Sequence, residues 1–418
     1  MQQHTGISDG IWPDTGHLLA PEVVAQLASL AAEADQQGRM APASLELLRQ
    51  HKWPGLAVPT AFGGLGANVL ECCAVQRKLG GADPGLAIAC TMHLGSVGVW
   101  TEHYARQPDM TWVFMEAVAK NSLLVASAVA EPSLGGSVNR STLRAQKVQG
   151  GWEVSGRKGP LSFASSADLV TLQFQSEPTH GAASEVLVAL VPRKMPGIST
   201  LPTWNTMGMR SSGSDTLVLE RCFIPDPLVV YHGVPGAAAD HDIVAGIIWF
   251  CLVITASYLG LAERAMAVAR DTLAHSRIAH LHSARAELPS FQALIGQQAA
   301  ALLTLETSCA GLARAMDARA DPQLLLAAAL GLKQHAARVV PEALGVMVEA
   351  CGGMAYARSS PLERLWRDAQ AIRFHPPTPV PVAQYLGRRA LGLPAQLDLD
   401  EAAPGLRAQQ EAADAPAK

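Results

Sequence analysis

Acidic side chains are missing from two long stretches of this 418-residue chain. None falls between Asp242 and Glu263, and none between Asp368 and Asp398. Aromatic residues make up only 5% and charged residues 16%, while apolar residues reach 49%. That balance excludes a disordered or fibrous chain, and the dominance of Ala and Leu leans toward helix. No basic run appears and the net charge is −4, so the electrostatic footprint of a nucleic-acid binder is absent. The seven cysteines are an odd, scattered set without a CxxC pair. Adjacent Cys72 and Cys73 cannot easily bridge, so the thiols read as reduced, small apolar residues of a cytoplasmic protein. No metal-ligand spacing is visible. The opening MQQHTGISDGIWPDTGHLL has no basic region followed by an apolar core, which argues against a secretory signal.

What is present falls into three parts. Segments such as PEVVAQLASLAAEADQQG and VLECCAVQRKLGGAD carry apolar residues at spacings of three and four, with Pro, Asp and Gly at their borders, and predict helices. Near Leu123 the character changes to short runs with β-branched residues, such as DLVTLQFQS and EVLVALVPRK, punctuated by Gly, Pro and Ser. Long helical patterns return from Asp242. The reading is mainly α: an N-terminal helical domain (1–122), a β-barrel or sandwich domain (123–236), a C-terminal four-helix bundle (237–395) and a flexible tail (396–418). Twenty residues from Ile243 to Ala262 carry no formal charge, the minimum length for a membrane span. The run stands alone, lacks a basic flank and continues amphipathically, so the expectation is a buried helix of a soluble bundle and no membrane. Farther on, four prolines fall within Pro376–Pro381, between two helix-like stretches.

Several motifs then fall in order: AFGGLGAN before a helix, VAEPSLGGSV, WEVSGRKGPLSF, MGMRSSGSDTLVLERCFIPDP, and ALGVMVEACGGMAYARSSPLERLWRDAQAIR. Each alone is weak. Together they resemble the acyl-CoA dehydrogenase superfamily from about Pro21 to Leu393, in a divergent form. The resemblance implies FAD held between the β domain and the C-terminal helices, in a homodimer or homotetramer whose neighbouring subunit completes the adenosine end. By position, Val129 and Ala130 would offer backbone bonds to the flavin pyrimidine edge, Ser162 a hydroxyl to its reactive nitrogen, and Ser137 a contact to phosphate. Gly352 and Gly353 would let the backbone approach the cofactor, Glu349 would sit near the partner's FAD in place of the usual Gln, and Thr378 would reach the diphosphate. Arg277 is the nearest match to a pyrophosphate Arg, though its Phe-Gly context is lost. Pro160 replaces the Trp that often shields the flavin. Arg367 and Asp368 read as structural.

The departure that matters most is the base. Family members place a Glu in the loop after Arg-Asp-Ala, or else on the apolar helix. Here Pro376 and Phe250 hold those positions. His375 is the obvious substitute, since an imidazole titrates near working pH, although a lone His is more often a packing residue. His93 and Tyr258 are further candidates for the acyl pocket. The first reading is therefore an FAD-dependent oxidation of an acyl thioester, on CoA or an acyl carrier protein, with a relocated base and an electron-transfer partner. A flavin monooxygenase of the same fold, fed by a flavin reductase, needs no such base and is the alternative. A non-redox flavin lyase or isomerase is the third.

Overall fold

Local signals set the helix starts. Asn68 accepts from the Glu71 backbone N–H while Glu71 reaches back to Asn68, a reciprocal cap that begins α3 (Val69–Ala82). Asp83 caps α4 (Pro84–Arg106), which has proline in its first turn, and Asp240 caps α6 (His241–His275). The computed structural model describes residues 10–131, 134, 137–178, 183–236 and 240–397. All but the first two residues of the expected tail lie outside them. The remaining helices are α1 (Pro21–Gln37), α2 (Pro42–Gln50), α5 (Thr111–Asn121), α7 (Pro289–Asp317), α8 (Pro322–Cys351), α9 (Pro361–Ala369) and α10 (Pro379–Ala390).

Between α5 and α6 lie eight strands: β1 (Val125–Ala128), β2 (Arg144–Val148), β3 (Gly151–Leu161), β4 (Leu169–Ser176), β5 (Val186–Pro192), β6 (Ile198–Leu201), β7 (Asp215–Pro225) and β8 (Val229–Gly233). They form one sheet in the order β6-β7-β3-β2-β4-β5-β8, with β1 added in parallel to β4. The α–β–α order read from the sequence is the architecture observed. Two strand ends deliver residues to one side of the sheet. β1 stops just before Val129 and Ala130, and the β3–β7 pair ends at Leu161 opposite Asp215, placing Ser162 beside Ser214.

The uncharged stretch forms the central part of α6, packed against α3, α4 and α8. It is long and apolar enough to cross a membrane, yet 83% of its most apolar window is buried within the protein. Contact with α3 is backbone to backbone: a Cβ on Gly80 would lie 1.9 Å from the Ser257 carbonyl oxygen, and one on Gly260 1.8 Å from that of Arg77. Glycine at both places lets the two helices touch, and no larger residue fits without moving one of them.

Candidate functional site

Helices α4 and α6 run antiparallel, joined like a ladder. The Thr91 and Ser257 hydroxyls meet at 3.3 Å, Gly98 lies under Trp249, and His103 Nδ1 meets Asp242 Oδ2 at 2.8 Å. Twelve residues of rise separate Thr91 from His103, so the ladder spans about 18 Å. Beside it, between the helices and the sheet, lies a cavity of about 760 Å³, a size typical of small-molecule and cofactor sites. Its walls are mostly apolar, with Met92, Val99, Trp100, Phe114, Ile247 and Phe250 among them.

Polar groups gather at the end formed by the sheet and the proline loop. Val129 and Ala130 line the cavity with their carbonyls taken, by Lys158 Nζ at 3.3 Å and by the Gly159 N–H at 3.1 Å. No acceptor among the described residues takes the N–H of either. The Gln173 side chain lines the same cavity, donating to Val138 O while its buried Oε1 has no partner. Unused donors beside an unused acceptor suit the edge of a ring such as a flavin pyrimidine, which presents both kinds of group. Ser162, Ser137, Pro160 and Thr378 line the cavity as well, and the Thr378 hydroxyl does not cap the helix it precedes.

A buried ion pair holds this edge. Lys158 and Glu131 have side chains 0% and 1% exposed and are hydrogen-bonded to each other. Ser141 Oγ adds a bond to Glu131 at 2.6 Å and the Thr142 N–H another at 2.9 Å. Burial pulls the Lys158 ammonium down to about 8, with Glu131 opposing that shift. Burial works against the Glu131 carboxylate too, but the charge of Lys158 prevails and lowers its pKa. Both residues belong to the Glu-Pro and Gly-x-Lys motifs, so those signatures mark one electrostatic staple.

The proline loop forms the facing wall, where Phe374, His375, Pro376, Pro377 and Thr378 all line the cavity. His375 Nε2 pairs with the Tyr258 hydroxyl at 2.9 Å, and its Nδ1 has no partner among the described residues. The residue is half-buried on the cavity wall. Burial first, then the charge of Lys333, pushes its pKa to about 3, so the ring is neutral at working pH. Lys333 is the residue that sequence reading missed here. It lies on α8 with only 1% exposure and donates to the carbonyls of His375 (2.6 Å) and Pro377 (2.8 Å).

The other expected site residues lie elsewhere. His93 is not in the cavity: its Nε2 bonds Pro54 O at 2.8 Å, its Nδ1 accepts the Val125 N–H at 3.1 Å, and burial lowers its pKa to about 4. It is a neutral strut between the N-terminal helices and β1. Tyr258 is fully buried behind His375 rather than on the cavity wall. Arg277 bonds the carbonyl of His282 on the surface. Glu349, Gly352 and Gly353 end α8 away from the cavity, and the guanidinium beside Gly352 is that of Arg285, 2.9 Å from where a Cβ would be. Arg367 and Asp368 are structural: Arg367 binds Asp35, Glu363 and the Met207 carbonyl, while Asp368 accepts the Met209 N–H at 2.6 Å. At the opposite end of the cavity, Asp242 is held by both His103 and Arg106.

Comparison with known proteins places these features among relatives. Family models of the N-terminal, middle and C-terminal domains of acyl-CoA dehydrogenase match residues 21–106, 126–222 and 252–378. Isobutylamine N-hydroxylase of Streptomyces viridifaciens is 27% identical over 374 residues, covering 87% of this chain and 93% of that protein. The amino sugar nitrososynthase DnmZ of Streptomyces peucetius is 28% identical over 381 residues, 88% of this chain and 91% of its own. The FMN-bound structure of TdsC from Paenibacillus sp. A11-2 superposes with a TM-score of 0.80 at 20% identity, covering 90% of this chain and 97% of that one. That last likeness is one of fold.

Proposed function

The chain belongs to the acyl-CoA dehydrogenase family, and from that membership we propose that it is a reduced-flavin-dependent monooxygenase that hydroxylates an amine nitrogen. The observation that carries this is that no unpaired carboxylate lines the cavity among the described residues. Pro376 and Phe250 line the cavity at the two positions where the resemblance expects a carboxylate. The carboxylates that do line it, Glu131 and Asp242, are tied to Lys158, His103 and Arg106. Abstracting the α proton of a thioester requires a base within hydrogen-bond reach, whereas oxygen insertion at nitrogen does not. The thioester oxidation expected from the resemblance is therefore the weaker reading. Two relatives bear names that refer to amine substrates, which supports nitrogen as the atom oxidised.

The balance is one amine, one O₂ and one reduced flavin giving one hydroxylamine, one water and one oxidised flavin, with NADH and a separate flavin reductase resupplying the reduced form. A bound reduced flavin supplies the electrons and the activation of oxygen. The Val129 and Ala130 amides and Gln173 Oε1 would hold the ring edge, and the Ser162 hydroxyl would offer a hydrogen bond to the ring. His375 serves as a neutral hydrogen-bonding group fixed by Tyr258, because a pKa near 3 makes it a poor proton store at neutrality. The apolar walls exclude water. FMN is the form proposed here in place of the FAD first expected, in line with the FMN carried by TdsC, which shares the fold.

The test pairs two experiments on the purified protein. With FMN, a flavin reductase and NADH, a panel of small amines should produce amine-dependent O₂ uptake and a hydroxylamine. Under anaerobic conditions the flavin-loaded protein should keep its colour with every acyl thioester offered. Bleaching by a thioester would overturn the proposal. His375→Ala should slow hydroxylation roughly a hundredfold through lost positioning. The rate of the parent protein should show no inflection from His375 between pH 5 and 8.

A further inference from the structure

We propose that Ser212 and Ser214 are positioning residues that make Ser162 a one-way hydrogen-bond donor into the cavity, directed at an acceptor nitrogen of the bound flavin ring. The inference rests on the flavin reading above and extends it to two residues of the MGMRSSGSD motif to which sequence reading assigned no role. Ser162 Oγ lies 2.9 Å from Ser214 Oγ, which lies 2.7 Å from Ser212 Oγ. The three are 8%, 4% and 0% exposed in that order; all border the cavity, and exposure rises along the chain of hydroxyls toward Ser162.

Each hydroxyl has one proton to give and two lone pairs to receive. Ser212 is sealed, and among the described residues its hydroxyl meets only Ser214. Were Ser212 to accept from Ser214, its own proton would be buried without an acceptor, the costly way to leave a hydrogen bond unmade. Ser212 therefore donates to Ser214; with Ser162 the most exposed of the three, the chain is assigned to run on from Ser214 to Ser162, with the Ser162 proton pointing into the cavity. The backbone keeps the three oxygens in line. The Phe163 N–H bonds Ser212 O at 3.4 Å and the Ala164 N–H bonds Gly213 O at 3.2 Å, so the turn after β3 and the turn before β7 clamp each other.

A committed donor distinguishes the redox states of a flavin. The reactive ring nitrogen accepts a hydrogen bond when oxidised and carries hydrogen when reduced. The serine chain should hence favour the oxidised ring, and breaking it should remove that preference. The probes are oxidised FMN and dithionite-reduced FMN, each titrated into the protein under anaerobic conditions and followed by protein and flavin fluorescence. Ser214→Ala should weaken binding of oxidised FMN by roughly three- to tenfold while leaving reduced FMN nearly unchanged, as expected for one hydrogen bond. The bound-flavin potential should rise accordingly. Ser212→Ala, at the most deeply buried of the three, should move the same ratio in the same direction by less, and it reads the chain even if Ser214→Ala folds poorly. Ser214→Thr should restore the ratio. Ser211→Ala is the control, since Ser211 bonds Asp83 at 2.9 Å instead of joining the chain; it should leave the ratio alone. Equal loss of both redox forms, or an unmoved ratio in Ser214→Ala and Ser212→Ala, would overturn the serine assignment with the flavin reading intact. Failure of the parent protein to bind either form would overturn both.

Discussion

At position 333 a lysine with 1% exposure delivers its ammonium to two loop carbonyls, those of His375 and Pro377. The loop explains why. Pro376, Pro377, Pro379 and Pro381 have no N–H, so the segment offers more acceptors than donors and takes a donor from α8. Lys333→Met should leave both carbonyls unpaired and cost about 1–3 kcal/mol in urea unfolding at neutral pH. A pH series adds a sign. Burial lowers Lys333 to about 8 from its ordinary 10.5. Between those values the unfolded chain holds a proton that the folded one has lost, so stability rises with pH across the window. Lys333→Met should lack that share of the rise, measured at pH 7.5 and 9.5. Histidine works in the acid range. His375, lowered to about 3 from 6.5, is neutral when folded and takes a proton on unfolding. Its contribution falls as pH drops below about 6.5, and His375→Asn should flatten the slope of unfolding midpoint between pH 5 and 7.

Elements are set by close approach as much as by periodicity. The apolar run in α6 identified a buried helix, because a helix without a polar face has to be covered all round. What covers it is decided by the small residues along it. Gly80 and Gly260 bring α3 against α6, and Thr91, Gly98 and His103 set the register of α4 beside the cavity. Gly260→Ala places a methyl group 1.8 Å from the Arg77 carbonyl oxygen. Neither backbone can yield without moving a helix, so the expected loss is about 3 kcal/mol, at the upper end for overpacking. Thermal unfolding would measure it. The strand ends β3 and β7 matter in the same way: their pairing, not their composition, puts Ser162 beside Ser214.

Across the whole molecule, Arg367 on α9 joins three parts of the chain. Its guanidinium binds Asp35 on α1 at 2.7 Å, Glu363 on its own helix at 2.6 Å, and the Met207 carbonyl at 2.8 Å. Asp368 beside it accepts the Met209 N–H, and a Cβ on Gly208 would sit 2.4 Å from Arg367 O. The Met-Gly-x-Arg and Arg-Asp motifs thus lock to each other, and the segment between Met207 and Met209 walls the cavity on the way. Arg367→Met should cost about 1–4 kcal/mol, between the values for exposed and buried pairs. It should also weaken FMN binding without touching any cavity polar group proposed to hold the ring, which a titration of folded protein would detect.

Residue type and spacing along the chain were enough to settle the order of helices and strands, the family, the buried α6, and the absence of acids from the stretches around Phe250 and Pro376. Those features are written locally. Which polar groups meet was settled only by the folded arrangement. Lys333 is 42 positions from His375, Tyr258 is 117 from it, and Ser214 is 52 from Ser162. The same reason separates His93 from the pocket expected for it: a histidine on an apolar helix reads alike whether it faces a ligand or two backbone groups. Here Pro54 and Val125 claimed both ring nitrogens. A buried polar side chain is identified by the partner that satisfies it, and that partner is chosen when the chain folds.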